Sequence, residues 1–135
     1  MTHEPNKLLS RLIGLRLYSV QFGHDHLQLR FETEGSDLLP FLDCEAMPAV
    51  EHGGLWSTAE VPGYADALVA LIGREVIATV EDTGAGVRVA LEGGTVALNP
   101  VTEDLVRDEI ATLGGFYDGS TIVWEPGSAP FEHLV

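Results

Sequence analysis

A single cysteine, only seven lysines and arginines in 135 residues, and no run near the ~20 apolar residues that span a bilayer are what the chain first withholds. Cys44 has no partner for an intrachain disulfide, which points to a reducing cytoplasm. It stands between Asp43 and Glu45, whose carboxylates disfavour a thiolate. A small, inert, half-buried residue is expected there, not a nucleophile. The shortage of cations against 21 Asp and Glu leaves a net charge of −14 and a pI near 4.4. That argues against a nucleic-acid binder, because such affinity comes largely from Lys and Arg displacing counterions. It argues equally against docking on an anionic membrane leaflet. The opening Met1-Thr2-His3-Glu4-Pro5-Asn6-Lys7 has no cationic region followed by an apolar one, so no secretory signal is read.

Catalytic signatures are also missing. There is no phosphate-binding Gly-x-x-x-x-Gly-Lys-Ser/Thr and no Gly-x-Ser-x-Gly elbow. Gly84-Ala85-Gly86 reads as a hairpin turn with no helix behind it, so it cannot set a phosphate on a helix dipole. No residue stands out as a catalytic nucleophile, and no cofactor is expected.

What remains is a globular composition, 45% hydrophobic and 21% charged, in one domain's length over 1–135. The chain carries an internal similarity. Leu12-Ile13-Gly14 precedes the strand Leu15–Phe22, and Leu71-Ile72-Gly73 precedes the strand Arg74–Val80. A turn follows each, at Gly23-His24-Asp25 and at Thr83–Gly86. Next come alternating strands with Leu27, Leu29 and Phe31, and with Val87, Val89 and Leu91, on one face. Third strands follow at about 37–42 and 95–99. The two copies, approximately 5–43 and 62–99, lie 59 to 60 residues apart, and a double αβββ unit is expected.

The helices of this reading have apolar stripes. The first uses Leu8, Leu9, Leu12 and Ile13. The second, from Pro62 to Ile72, uses Tyr64, Ala67, Leu68, Leu71 and Ile72, with Ala65, Val69 and Ala70 on its far side. A helix so apolar must be covered on more than one side. A third helix is expected over 101–113, striped by Val101, Leu105, Val106, Ile110 and Leu113, and a last strand over 121–125. Pro40 puts its strand at a sheet edge or bulge. The segment 44–61 reads as a long connection, with Trp56 either a core plug, the favoured reading, or an exposed anchor. The predicted fold is α+β: a mainly antiparallel sheet with helices packed on one face.

Three constellations are candidate sites. His24 and His26, with Asp25 or His52, could chelate a metal, but they straddle a turn and supply no complete ligand set. The acidic residues Glu103, Asp104, Asp108, Glu109 and Asp118 are candidates for meeting a basic partner. Asp104 and Asp108 would repel one another weakly across one helical turn. Ala65, Val69 and Ala70 are candidates for a homodimer interface, with the helix over 101–113 as the intramolecular alternative.

Leu12-Ile13-Gly14 with its strand, Leu27–Phe31, and Pro62–Gly73 together resemble a family of small acidic bacterial proteins, mainly actinobacterial, of unknown function. The resemblance covers most of 8–125 and implies no activity. The function expected is a non-enzymatic, cytoplasmic module that binds a basic protein, immunity- or inhibitor-like. The rivals are a small-molecule or metal-dependent enzyme with a pocket between sheet and helices, and an acidic surface serving solubility alone.

Overall fold

In the computed structural model, which describes residues 4–35, 37–105 and 107–134, the chain forms ten strands in two antiparallel sheets. The strands are β1 (Arg16–Phe22), β2 (Leu27–Glu32), β3 (Phe41–Cys44), β4 (Ala49–His52), β5 (Leu55–Ser57), β6 (Val76–Asp82), β7 (Gly86–Leu91), β8 (Gly94–Leu98), β9 (Ala111–Gly114) and β10 (Ile122–Trp124). The first sheet runs β1-β2-β3-β9-β10 and the second β5-β4-β8-β7-β6. The expected α+β arrangement is therefore wrong. The protein is mostly β, and no layer of helices covers a sheet face.

The expected helices are shortened or absent for local reasons. Leu8, Leu9 and Leu12 are buried, yet their segment closes into a single 3-10 turn, Leu9–Leu12. One turn suffices to bury three leucines, and a longer helix has nothing further to gain. The second helix is reduced to α1 (Tyr64–Val69), which turns Tyr64 and Leu68 inward. Among the described residues of 101–113 there is no α-helix. Thr102–Asp104 make a 3-10 turn, and the apolar residues Ala111 and Leu113 enter β9. The 3.6-like spacing of Val101, Leu105, Ile110 and Leu113 is coincidental, and pairing of β9 with β3 in mid-sheet decides the backbone. Val106 lies outside the described residues.

The supposed connection 44–61 contains the β4–β5 hairpin. Its turn is Gly53-Gly54, with φ of 63° and 86°. A two-residue turn with both φ positive matches the twist of the flanking strands, and glycine adopts it without cost from a Cβ. Pro40 ends up immediately before β3, an interior strand, with its carbonyl accepting from the Phe31 N–H at 2.8 Å.

An approximate two-fold relates the halves. Gly14 N–H donates to Val76 O, and Gly73 N–H donates to Leu17 O, both at 2.8 Å. Leu17 N–H reaches Arg74 O at 3.0 Å, and Val76 N–H reaches Leu15 O at 2.8 Å. Arg16 and Glu75 form an antiparallel bridge at the centre. The same bulge occurs in each half, between Leu17 and Ser19 against β2 and between Val76 and Ala78 against β7. Each half puts three strands into one sheet and sends its last hairpin to the other. β4–β5 extend the second sheet through β8, and β9–β10 extend the first through β3.

The inner faces share one core, with Phe31, Leu29, Leu42, Leu113 and Trp124 from the first sheet and Val89, Leu91, Val96 and Leu98 from the second. A carboxylate is built into it. Glu81 on β6 is buried and accepts from Trp124 Nε1–H at 2.9 Å and from Asn6 N–H at 2.7 Å. A buried carboxylate is tolerable where such donors replace water.

Candidate functional site

Strand alternation sets the outer face of the second sheet. With Val50, Val96 and Val89 buried, their neighbours Ala49, Ala97 and Arg88 point outward. The ladder aligns these three in a row across β4, β8 and β7, continued by Val80 on β6. The two alanines leave the middle of the row low. Trp56, paired with Glu51 at the sheet edge, stands beside it, and the Arg88 guanidinium lies 5.7 Å from its ring centroid. The indole is 51% exposed, so Trp56 is a surface residue and not the plug expected of it.

Around this floor runs a groove of about 630 Å³. Thr58, Ala59 and Glu60 form one wall. Met47, Asn99 and Pro100 form another, and Glu103 and Asp104 come from the 3-10 turn after β8. Asp25, from the β1–β2 turn of the other sheet, closes one end. Four carboxylates thus face a groove whose lining contains one cation, Arg88, and that cation is already stacked on the tryptophan. Asp104 has a local role too, accepting from Val101 N–H at 3.3 Å.

Asp25 belongs to a second charged group on the first sheet. Arg107 bridges it, at 3.3 Å, to Glu45. Asp43, two residues from Glu45 on β3, has its carboxyl pushed above the usual range by burial and then by the Glu45 charge. His26 lies 4.0 Å from Asp25, its imidazole packed against Gly23 where a Cβ would stand.

The structure disperses most of the residues singled out in the sequence. Glu103 and Asp104 meet at the groove. Asp108 and Glu109 are exposed outside its lining and share no helix with Asp104. Asp118 pairs with Arg11 at 2.9 Å, beside a more apolar concavity lined by Leu15, Leu38, Pro40 and Phe116. Its carboxyl is held at about 2 by the Ser120 backbone and side-chain hydrogen bonds and by Arg11. Of the suggested dimer residues, Ala65 and Val69 are exposed on α1 and Ala70 is half-buried just beyond it. Among the described residues no helix over 101–113 covers them.

His24 and His26 belong to the β1–β2 turn, whereas His52 ends β4 in the other sheet. Among the described residues no group of three His, Cys, Asp or Glu side chains can hold a metal ion. Cys44 is fully buried, more so than expected, and burial followed by Asp43 and Glu45 drives its thiol far up. It is inert to solution chemistry. Among the described residues no helix is long and apolar enough to cross a membrane.

Sequence reasoning overlooked Glu60 and Arg88, took Asp25 only as a possible metal ligand, and misjudged Trp56. The Gly53-Gly54 pair between Ala49–His52 and Leu55–Ser57 was the available signal, because a hairpin there makes Trp56 an edge-strand residue. The fold and groove define an antiparallel β protein with an acidic, tryptophan-edged surface cleft. No family model, curated protein or solved structure matches the chain, so these residues carry the functional reading alone.

Proposed function

We propose that this protein is a non-enzymatic, cytoplasmic module that binds a basic partner protein, in the manner of an immunity protein or inhibitor. The carrying observation is the half-exposed Trp56 beside a groove faced by Asp25, Glu60, Glu103 and Asp104 on a chain of net charge −14. Tryptophan is a common anchor of binding energy at interfaces, since its large flat body desolvates well. Field from the surrounding carboxylates steers a cationic surface toward it and accelerates encounter.

The test uses a lysine- and arginine-rich peptide as probe, with association followed on a biosensor across a salt series. The on-rate is expected to fall as salt rises, and Trp56→Ala to weaken binding by roughly 30-fold, the scale of an interface hot spot. Glu103→Gln with Asp104→Asn should slow association more than it speeds dissociation. A wild-type protein that does not bind the peptide, or binding indifferent to Trp56→Ala, would overturn the proposal.

A further inference from the structure

The two-fold that relates the halves emerges at the surface where residues 13–18 run antiparallel to 72–77. Leu17 and Val76 point into the core there, so the flanking side chains are directed outward. At each of these sites the bulge adds one more outward residue, Tyr18 in β1 and Ile77 in β6. Just upstream, Ile13 and Ile72 hold equivalent places before Gly14 and Gly73. The four exposures are 46% for Ile13, 52% for Tyr18, 40% for Ile72 and 55% for Ile77. Large apolar side chains scattered singly are ordinary on a surface, but a symmetric set around one axis is not scatter.

We infer that this axial patch is the docking surface for a second copy of the chain. Charge complementarity selects that occupant. At the centre stand Arg16 and Glu75, opposite charges at equivalent positions of the two halves. When a second copy meets the patch face to face, a two-fold perpendicular both to the first and to the Arg16–Glu75 line sets Arg16 of each copy against Glu75 of the other. An isologous contact of that kind is self-complementary. The neighbourhood is also nearly neutral. Two cations, Arg16 and Arg74, stand with three acids: Glu32, paired with Arg16 across the strands, Glu75, and Glu92, whose N–H bonds the Glu75 carbonyl.

A local balance of −1 on a chain of −14 leaves little repulsion between two copies at this face. The remaining repulsion is screened over ~8 Å at physiological salt. A basic partner would find few carboxylates here, and an anionic membrane would be repelled by the chain as a whole. Val69 on α1, 51% exposed, lies three residues before Ile72 and extends the apolar surface. This interface lies elsewhere than the Trp56 groove and does not depend on it.

The experiment is sedimentation velocity on the full chain over a concentration series at ionic strength ~0.15 M. The wild type should sediment at twice the chain mass of 14.5 kDa. Ile72→Glu with Ile77→Glu should yield a folded monomer, because both side chains are already exposed; circular dichroism checks the fold. Arg16→Glu alone should weaken the dimer about tenfold by setting like charges together, and adding Glu75→Arg should restore it. A wild type that stays monomeric throughout overturns the inference. So does a dimer that survives the isoleucine pair, or an Arg16→Glu loss that the charge swap does not repair.

Discussion

The two halves share a strand framework and disagree about their surfaces. Phe22, which ends β1, and Glu81, one residue before the end of β6, hold equivalent places opposite Leu27 and Val87. In the first half an aromatic ring is left half in water, and in the second a carboxylate is drawn inside to meet Trp124 and Asn6. Outward rows diverge as well. Gln28 and Asp43 on the first sheet correspond to Arg88 and Ala97 on the second. One face is therefore filled with polar side chains, while the other is hollow where two alanines lie. The lesson is that glycines, bulges and inward alternation preserve the architecture, and residues between them are free to build a groove on one half only.

The largest break in the comparison should come at its sharpest inversion. Glu81→Ala strands the indole N–H of Trp124 and the backbone N–H of Asn6, at about 1–3 kcal/mol for each buried donor left unpaired. Its counterpart Phe22→Ala removes a ring already half in water and should cost at most about 1 kcal/mol. Urea denaturation of the two variants measures the asymmetry, and equal losses would mean that Glu81 is not an internal tie.

A smaller effect should be the same in both halves. Gly14 and Gly73 have φ of 92° and 90°, and a Cβ added to either would meet nothing within 4 Å. Alanine at either position therefore suffers backbone strain alone, about 1–2 kcal/mol. Matched losses in melting experiments would support the two-fold, and a difference above measurement error would break it.

The smallest effect concerns pH and has opposite signs at two sites of the first sheet. Asp43 is raised in the folded state, so folding favours its proton, and its contribution declines as pH rises above the unfolded value of 3.8. Asp43→Asn should stabilise slightly at pH 7 and leave stability unchanged well below 3.8. Asp118 is depressed to about 2, so its contribution is complete above 3.8 and disappears as pH falls through about 2. Asp118→Asn should destabilise slightly at pH 7 and not at the acid end. Denaturation midpoints across pH test both signs.

Period-two patterns were legible because a half-buried strand must alternate. Leu27, Leu29 and Phe31 are buried with Val87, Val89 and Leu91. Gly14 and Gly73 were legible as equivalent positions ahead of the two strands, and both have positive φ. Helix content was not, since spacing alone does not distinguish a single 3-10 turn at Leu9–Leu12, or a four-residue strand at 111–114, from a longer helix. The groove was half legible. Glu103 and Asp104 stood out by charge, but Asp25, Glu60, Arg88 and Trp56 converge only once β4–β5 pairs with β8, a long-range contact with no local trace.

Exchanging the last hairpin of each half has a consequence for how the chain comes into being. The first sheet is begun by residues 16–44 but is finished only by residues 111–124, after the whole second sheet has been synthesised. Until then β3 exposes a bare edge and the shared core lacks Leu113 and Trp124. A chain leaving the ribosome thus cannot complete its earlier half first, as modular proteins do. It must hold an adhesive, half-built sheet open for most of its synthesis. Separate unfolding of either half is closed off for the same reason, because releasing one takes a hairpin from the other.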